Sequence, residues 1–187
     1  MVSRVIPVDP FDLVIFGGTG DLARRKILPG LYRRFQAGQM PADSRIIGAA
    51  RGDLGDEDFR RLVADAIAEF LPETQQDKAV IAEFLERLHY IAIDARGEAG
   101  WPQLKALIRP DVVQAFYFSV APSLFGDLAG RLTSYGIAGP QARIVVEKPF
   151  GRDLATARAL NATLAQHFAE SQIYRIDHYL GKRPSRT

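Results

Sequence analysis

The sequence predicts an α/β protein: a doubly wound, mainly parallel sheet flanked by helices. Three observations lead there. Apolar, β-rich runs alternate with stretches of helical periodicity along the chain. The runs are near-continuous where a half-exposed sheet would alternate apolar with polar, so the strands are expected to be covered on both faces. The first of them, FDLVIFGGTGDLA at 11–23, breaks into three glycines within four positions. Each glycine costs backbone entropy and gives no side chain to the core, so something there requires bare main chain.

In order, the first elements are a strand at 11–17 (FDLVIFG), a helix at 20–37, a strand at 44–50 (SRIIGAA) and helices at 56–70 and 75–87. A strand at 88–94 (LHYIAID), a helix at 100–108 and a strand at 112–120 (VVQAFYFSV) follow. A helix at 123–135, a strand at 142–147 (ARIVVE) and a helix at 153–169 complete the alternation. Each strand is closed by Gly, Pro or polar residues. Asp53 and Asp56 are expected as turn and helix N-cap residues. His89, entering a strand, and His167, late in a helix, are expected to be structural. No repeat or composition shift marks a linker, so residues 1–182 read as one domain and 183–187 as a short polar tail.

The 187 residues suffice for one sizeable core, and 47% hydrophobic with 25% charged residues describes a globular protein. Net charge is only +2, too small to argue for nucleic acid, so any anion site must be local. The absence of cysteine excludes disulfides, thiolate zinc sites and cysteine nucleophiles, and no metal site is predicted. The opening MVSRVIPVDP lacks the apolar core of a secretory signal. The longest uncharged stretch, Val112 to Gly126, is too short and too polar to span a membrane. A soluble, cytoplasmic protein with no membrane partner is expected.

Gly18-x-Gly20-x-x-Ala23 supplies the G-x-G-x-x-A pattern of a dinucleotide-binding turn, and Gly17 gives an overlapping G-x-x-G-x-x-A reading. In such a Rossmann-type turn the glycines admit a pyrophosphate, which the following helix start binds without a basic side chain. A ligand-free tight turn is the bland alternative; a Walker loop is disfavoured because its Lys-Ser/Thr ending is absent. The strand IIGAA is followed by Arg51, where an acidic residue would select NAD and an arginine accommodates the 2′-phosphate of NADP. NADP is therefore the expected cofactor, against a merely solvated arginine, and Asp53 and Asp56 leave NAD open.

Ser119-Val-Ala-Pro122 and Glu147-Lys-Pro-Phe-Gly151 follow the fourth and fifth strands, where the nicotinamide end would lie. Lys148 in that turn is either functional or an ordinary surface lysine. Asp177, His178, Tyr179 and Lys182 then form a dense polar set in RIDHYLGK. An aspartate can orient a histidine, and His, Tyr and Lys together can hold a phosphate ester; a solvated turn is the other reading.

GGTGDLARRK, AARGD, FSVAPSLF, IVVEKPFG and above all RIDHYLGK together resemble the coenzyme domain of the glucose-6-phosphate dehydrogenase family, from about residue 11 to Lys182. The resemblance implies oxidation of glucose 6-phosphate to 6-phosphogluconolactone. It implies that Gly18, Thr19, Gly20 and Leu22 lie along the pyrophosphate, Arg51 holds the 2′-phosphate, and Pro122 and Lys148 lie near the nicotinamide. Asp94 is a weaker cofactor candidate. Lys26 and Lys148 would approach the sugar, His178, Tyr179 and Lys182 would clasp its phosphate, and Asp177 would orient the catalytic base.

In the family that base is a histidine of a C-terminal domain, whereas this sequence stops five residues after Gly181-Lys182, with Arg183-Pro184 where the family continues with glutamate. General-base catalysis is worth roughly 10² to 10⁴-fold, so the chain alone is expected to be nearly inactive. Three readings follow: the cofactor half of an NADP-linked dehydrogenase, an NADP(H)-binding module without turnover, or a fragment that self-associates through an uncovered face.

Overall fold

The computed structural model describes residues 9–148 and 154–177. Six strands, β1 (Phe11–Phe16), β2 (Arg45–Ala50), β3 (Leu88–Ala92), β4 (Val113–Phe118), β5 (Arg143–Lys148) and β6 (Ile173–Asp177), form one sheet in the order β3-β2-β1-β4-β5-β6. Every neighbouring pair is parallel. Six α-helices accompany them: α1 (Leu28–Gln36), α2 (Asp56–Phe70), α3 (Lys78–Leu85), α4 (Trp101–Leu107), α5 (Phe125–Ser134) and α6 (Leu154–Ala165). This is the doubly wound class expected from the sequence.

The apolar runs are continuous because β1 is covered on both faces, with every one of its residues buried. Val14 and Phe16 join a core completed by Trp101 and Leu104 of α4, Leu128 and Leu132 of α5, and Leu160 and Leu164 of α6. Leu13 and Ile15 point the other way, onto Leu28 and Tyr32 of α1, Phe59 and Ile67 of α2, and Phe84 of α3. The chain winds outward from β1 to β3 along one face, then recrosses to β4 and winds outward along the other. The strand order reverses between β1 and β4, where such sheets bind ligands.

The structure departs from the sequence expectations in four places. The helix expected at 20–37 opens with a π-helical segment, Ala23–Ile27, in which Leu28 N donates to Ala23 O. Pro29 supplies the reason: it cannot donate to Arg25, and its ring crowds that carbonyl, so the preceding turn widens. The helix expected at 75–87 starts only at Lys78, where the Asp77 carboxylate accepts from Ala79 N and Val80 N at 3.0 and 3.3 Å. A 3-10 turn at Pro122–Leu124 likewise precedes α5. Finally, the sequence pattern does not mark β6: it is a short edge strand, with Tyr174 45% exposed, and lacks the long apolar run of the others.

The amino-terminal edge of the sheet is tied by charge. Asp12, fully buried, accepts from Arg45 Nε at 2.9 Å, from Arg109 N at 2.9 Å and from Arg109 Nη2 at 2.8 Å. Burial alone would raise the Asp12 carboxyl, but the two guanidinium groups outweigh it and hold it below the usual aspartate value. No helix among the described residues is long and apolar enough to cross a membrane.

Candidate functional site

The glycine turn leaves β1 at the switch point. Gly17 adopts φ +80°, and a Cβ there would run into Ser119 O at the end of β4. A Cβ on Gly18 would lie 2.9 Å from Gly48 Cα in β2. The turn is thus wedged between the two neighbouring strands, and its left-handed residue is Gly17. The overlapping G-x-x-G-x-x-A reading describes the turn better, with Ala23 fully buried against the sheet. Gly17 N and Gly18 N donate to Ala49 O at 2.8 and 3.3 Å, and Gly20 N donates to Gly17 O at 2.9 Å, so these amides shape the turn. Arg24 N to Gly20 O, 3.1 Å, is an early bond of the helix that follows. The amides of Asp21, Leu22 and Ala23 precede it and have no acceptor within the helix, which makes its start a candidate anion site.

Of the three basic residues on the π-helical segment, two point elsewhere. Arg25 Nε bonds Asp21 at 2.7 Å and Arg24 reaches Glu69 at 3.8 Å. Lys26 is exposed and close enough to Glu147, near the end of β5, to favour the ionised form of its carboxylate. Burial nevertheless pushes the Glu147 carboxyl above the usual glutamate value, outweighing both Lys26 and a hydrogen bond from the Tyr117 hydroxyl of β4. Burial, with the Glu147 charge, also raises the Tyr117 phenol. Main-chain register sets Lys148 beside Asp177 and Glu147 beside Ile176.

Arg51 is exposed directly after β2. The hydroxyl of Tyr90 lies 2.6 Å from Gly52 O and 3.2 Å from Ala50 O, the carbonyls on either side of it. Asp56 is not the N-cap of α2: Gly55 is, with its amide held by Asp58 at 3.0 Å. The Asp56 carboxylate instead accepts from Tyr90 N at 2.8 Å and meets His89 Nδ1 at 3.4 Å. Asp94 closes its own loop, its carboxylate accepting from Arg96 N at 3.0 Å and its carbonyl from Trp101 Nε1 at 2.9 Å. Those bonds account for Asp94 as a turn residue.

Because all strands are parallel, the turn with Gly18, Thr19, Gly20 and Leu22, and with them Arg51, Asp94, Pro122, Lys148 and Asp177, lies along one carboxyl-terminal edge of the sheet. Lys26 faces that edge through Glu147. His178, Tyr179 and Lys182 lie outside the described residues, and only the main chain of Lys148 and Asp177 is described. His89, near the start of β3, and His167, beyond α6 and 3.3 Å from Thr133 Oγ1, belong to the opposite edge. A groove of about 850 Å³ that includes Asp111, Arg143 and Tyr174 also opens at that opposite edge, away from the glycine turn. Sequence reasoning missed Tyr90 and Tyr117, and it took Glu147 only as part of the turn after the fifth strand, with no role of its own. A charged residue closing the apolar run IVVE was a signal for Glu147; nothing local marked either tyrosine.

Comparison with known proteins places these features in a family. The family model described as glucose-6-phosphate dehydrogenase, NAD binding domain, matches residues 14–185. A glucose-6-phosphate 1-dehydrogenase from Rhizobium meliloti (strain 1021) is 48% identical over 184 residues, covering 97% of this chain and 38% of the relative. The crystal structure of glucose-6-phosphate 1-dehydrogenase from Mycobacterium avium superposes with a TM-score of 0.85 at 35% identity, over 95% of this chain and 38% of that one. A second structure, glucose-6-phosphate dehydrogenase in complex with its substrate glucose-6-phosphate, gives a TM-score of 0.81 at 34% identity over 96% of this chain and 39% of that one. The chain thus spans well under half the length of these relatives. With the glycine turn at the switch point and the described candidate positions on one edge, the match over residues 14–185 makes this chain a member of the glucose-6-phosphate dehydrogenase NAD-binding domain family.

Proposed function

We propose that the chain binds NADP across the carboxyl-terminal edge of its sheet and forms the coenzyme-binding part of an enzyme that oxidises glucose 6-phosphate to 6-phosphogluconolactone. The observation that carries this reading is the wedge of Gly17 and Gly18 against β4 and β2, which brings a free helix start to the crevice. A diphosphate fits there by charge, which the first-turn amides answer, while the clash of a Gly17 Cβ with Ser119 O accounts for the bare main chain of the turn itself. Gly18, Thr19, Gly20 and Leu22 would flank the pyrophosphate, Arg51 the 2′-phosphate, and Pro122 and Lys148 the nicotinamide. When bound, the nicotinamide supplies a hydride acceptor for C1 of the sugar.

The chain's own residues would orient the sugar and hold charge. Lys26 would approach it from the π-helical segment and Lys148 from the end of β5, while His178, Tyr179 and Lys182 would clasp its phosphate. Asp177 would orient a base. Residues 1–182 would thus act as the dinucleotide-binding domain. What supports a role without turnover for the chain by itself is that His89 and His167 are engaged at the far edge of the sheet.

Titration of the wild-type chain and Arg51→Ala with NADP and with NAD tests the cofactor assignment. A charge-assisted hydrogen bond is worth about 1.5–3 kcal/mol, so NADP affinity should fall roughly 10- to 100-fold while NAD affinity holds. Unchanged NADP affinity removes Arg51 from the site and NADP from the proposal.

A further inference from the structure

Tyr90 is the middle residue of β3, far in sequence from Arg51, yet its side chain ends beside the turn that carries Arg51. The ring is 7% exposed and packs against Phe59 of α2 with centroids 5.6 Å apart. Phe59 in turn fills the space over Gly48, where any Cβ would collide with its ring, and Gly48 Cα is the neighbour that keeps Gly18 bare. The main chain of Tyr90 is fixed too, its amide donating to Asp56 at 2.8 Å. What this rigid support delivers is a hydroxyl at 2.6 Å from Gly52 O and 3.2 Å from Ala50 O. Burial, with the nearby Asp53 charge, raises the phenol above its usual value, so it stays a donor at neutral pH.

Between those carbonyls lies Arg51, and the residues around it, Gly52, Asp53 and Gly55, are exposed and include two glycines. Such a turn loses much conformational entropy when it must present one side chain in one place. We infer that Tyr90 is a positioning residue for cofactor choice: its hydroxyl latches the turn 50–52 so that Arg51 is held ready for a phosphomonoester on the adenosine ribose. The inference rests on the assignment of Arg51 to the 2′-phosphate. It adds that specificity for that phosphate depends on a side chain in the next strand, which touches no ligand, and that Phe59 couples this turn to the glycine turn.

The test uses the 187-residue chain as wild type, Tyr90→Phe and Arg51→Ala, titrated calorimetrically with adenosine 2′,5′-bisphosphate and with adenosine 5′-monophosphate. Tyr90→Phe keeps the ring on Phe59 and removes only the hydroxyl. The expected result is a loss of roughly threefold to tenfold for the bisphosphate with less than twofold for the monophosphate, the scale of one hydrogen bond. The ratio of the two affinities is the readout, so a lowered melting temperature does not obscure it as long as titrations are run below both transitions. Equal weakening of both ligands, or of neither, overturns the latch while Arg51→Ala still loses the bisphosphate preference. A wild type that does not prefer the bisphosphate, with Arg51→Ala unchanged, overturns the Arg51 assignment and the latch with it.

Discussion

Glu147 closes an apolar strand with a carboxylate that the fold half-buries between Tyr117 and Lys26. Desolvation disfavours its charge more than those two neighbours favour it, so its carboxyl titrates above the usual glutamate value. The sign of the linkage follows: the raised group contributes stability that is fully present below the unfolded value near 4.5 and is lost as pH rises through the folded one. Glu147→Gln should therefore gain on the wild type in urea melts as pH rises from about 4 to 7, by at most ~1 kcal/mol given the screening of a part-exposed group. A gap that stays constant with pH would show that Glu147 titrates as it does in the unfolded chain. The same carboxylate gives Lys26 a reason to stay over the crevice that its arginine neighbours, paired with Asp21 and Glu69, do not have.

Among the elements, the joints are as informative as the strands. The π-helical segment exists because Pro29 stands one turn further on, and it is the segment that carries Lys26. At the opposite edge, Asp12 of β1 gathers Arg45 of β2 and Arg109, which follows α4, and each arginine also caps a carbonyl: Arg45 Nη2 donates to Leu107 O and Arg109 Nη2 to Asp43 O, both at 2.6 Å. One buried carboxylate thereby fixes the start of β1, the start of β2 and the crossover to β4. Asp12→Asn leaves two part-buried guanidinium groups short of a counter-charge and should cost about 3 kcal/mol at pH 7 in urea unfolding. Because the folded carboxyl is depressed, its contribution is present above the unfolded value of 3.8 and lost as pH falls through the folded one. The variant's deficit should accordingly shrink in acid; a deficit independent of pH would mean that shape, not charge, is what Asp12 supplies.

At the scale of the whole molecule the two edges of the sheet divide the work. The amino-terminal edge holds the ion triad and both described histidines, and the carboxyl-terminal edge holds the glycine turn, Arg51, Lys148 and Asp177. A proton must leave the sugar hydroxyl as hydride departs, and a positioned base is worth roughly 10² to 10⁴-fold. Assayed beside the Rhizobium meliloti relative with glucose 6-phosphate and NADP, the 187-residue chain should form NADPH at least ~10²-fold more slowly. Comparable turnover would show that these residues, by themselves or in association with their own copies, complete the site.

The sequence by itself determined the alternation of strand and helix, the burial of both sheet faces and the place of the glycine turn. Those depend on local periodicity and on the steric freedom of single residues, which a linear reading captures. It also named most positions on the carboxyl-terminal edge, since each follows directly on a strand. Only the tertiary structure decided that Gly17 takes the left-handed turn, that IYRID is a sixth strand, and that Tyr90 reaches the turn around Arg51 while Glu147 joins Tyr117 and Lys26. Each of these is a contact between strands or turns far apart in the chain, fixed by strand order and register, and no local pattern encodes which distant residue will arrive.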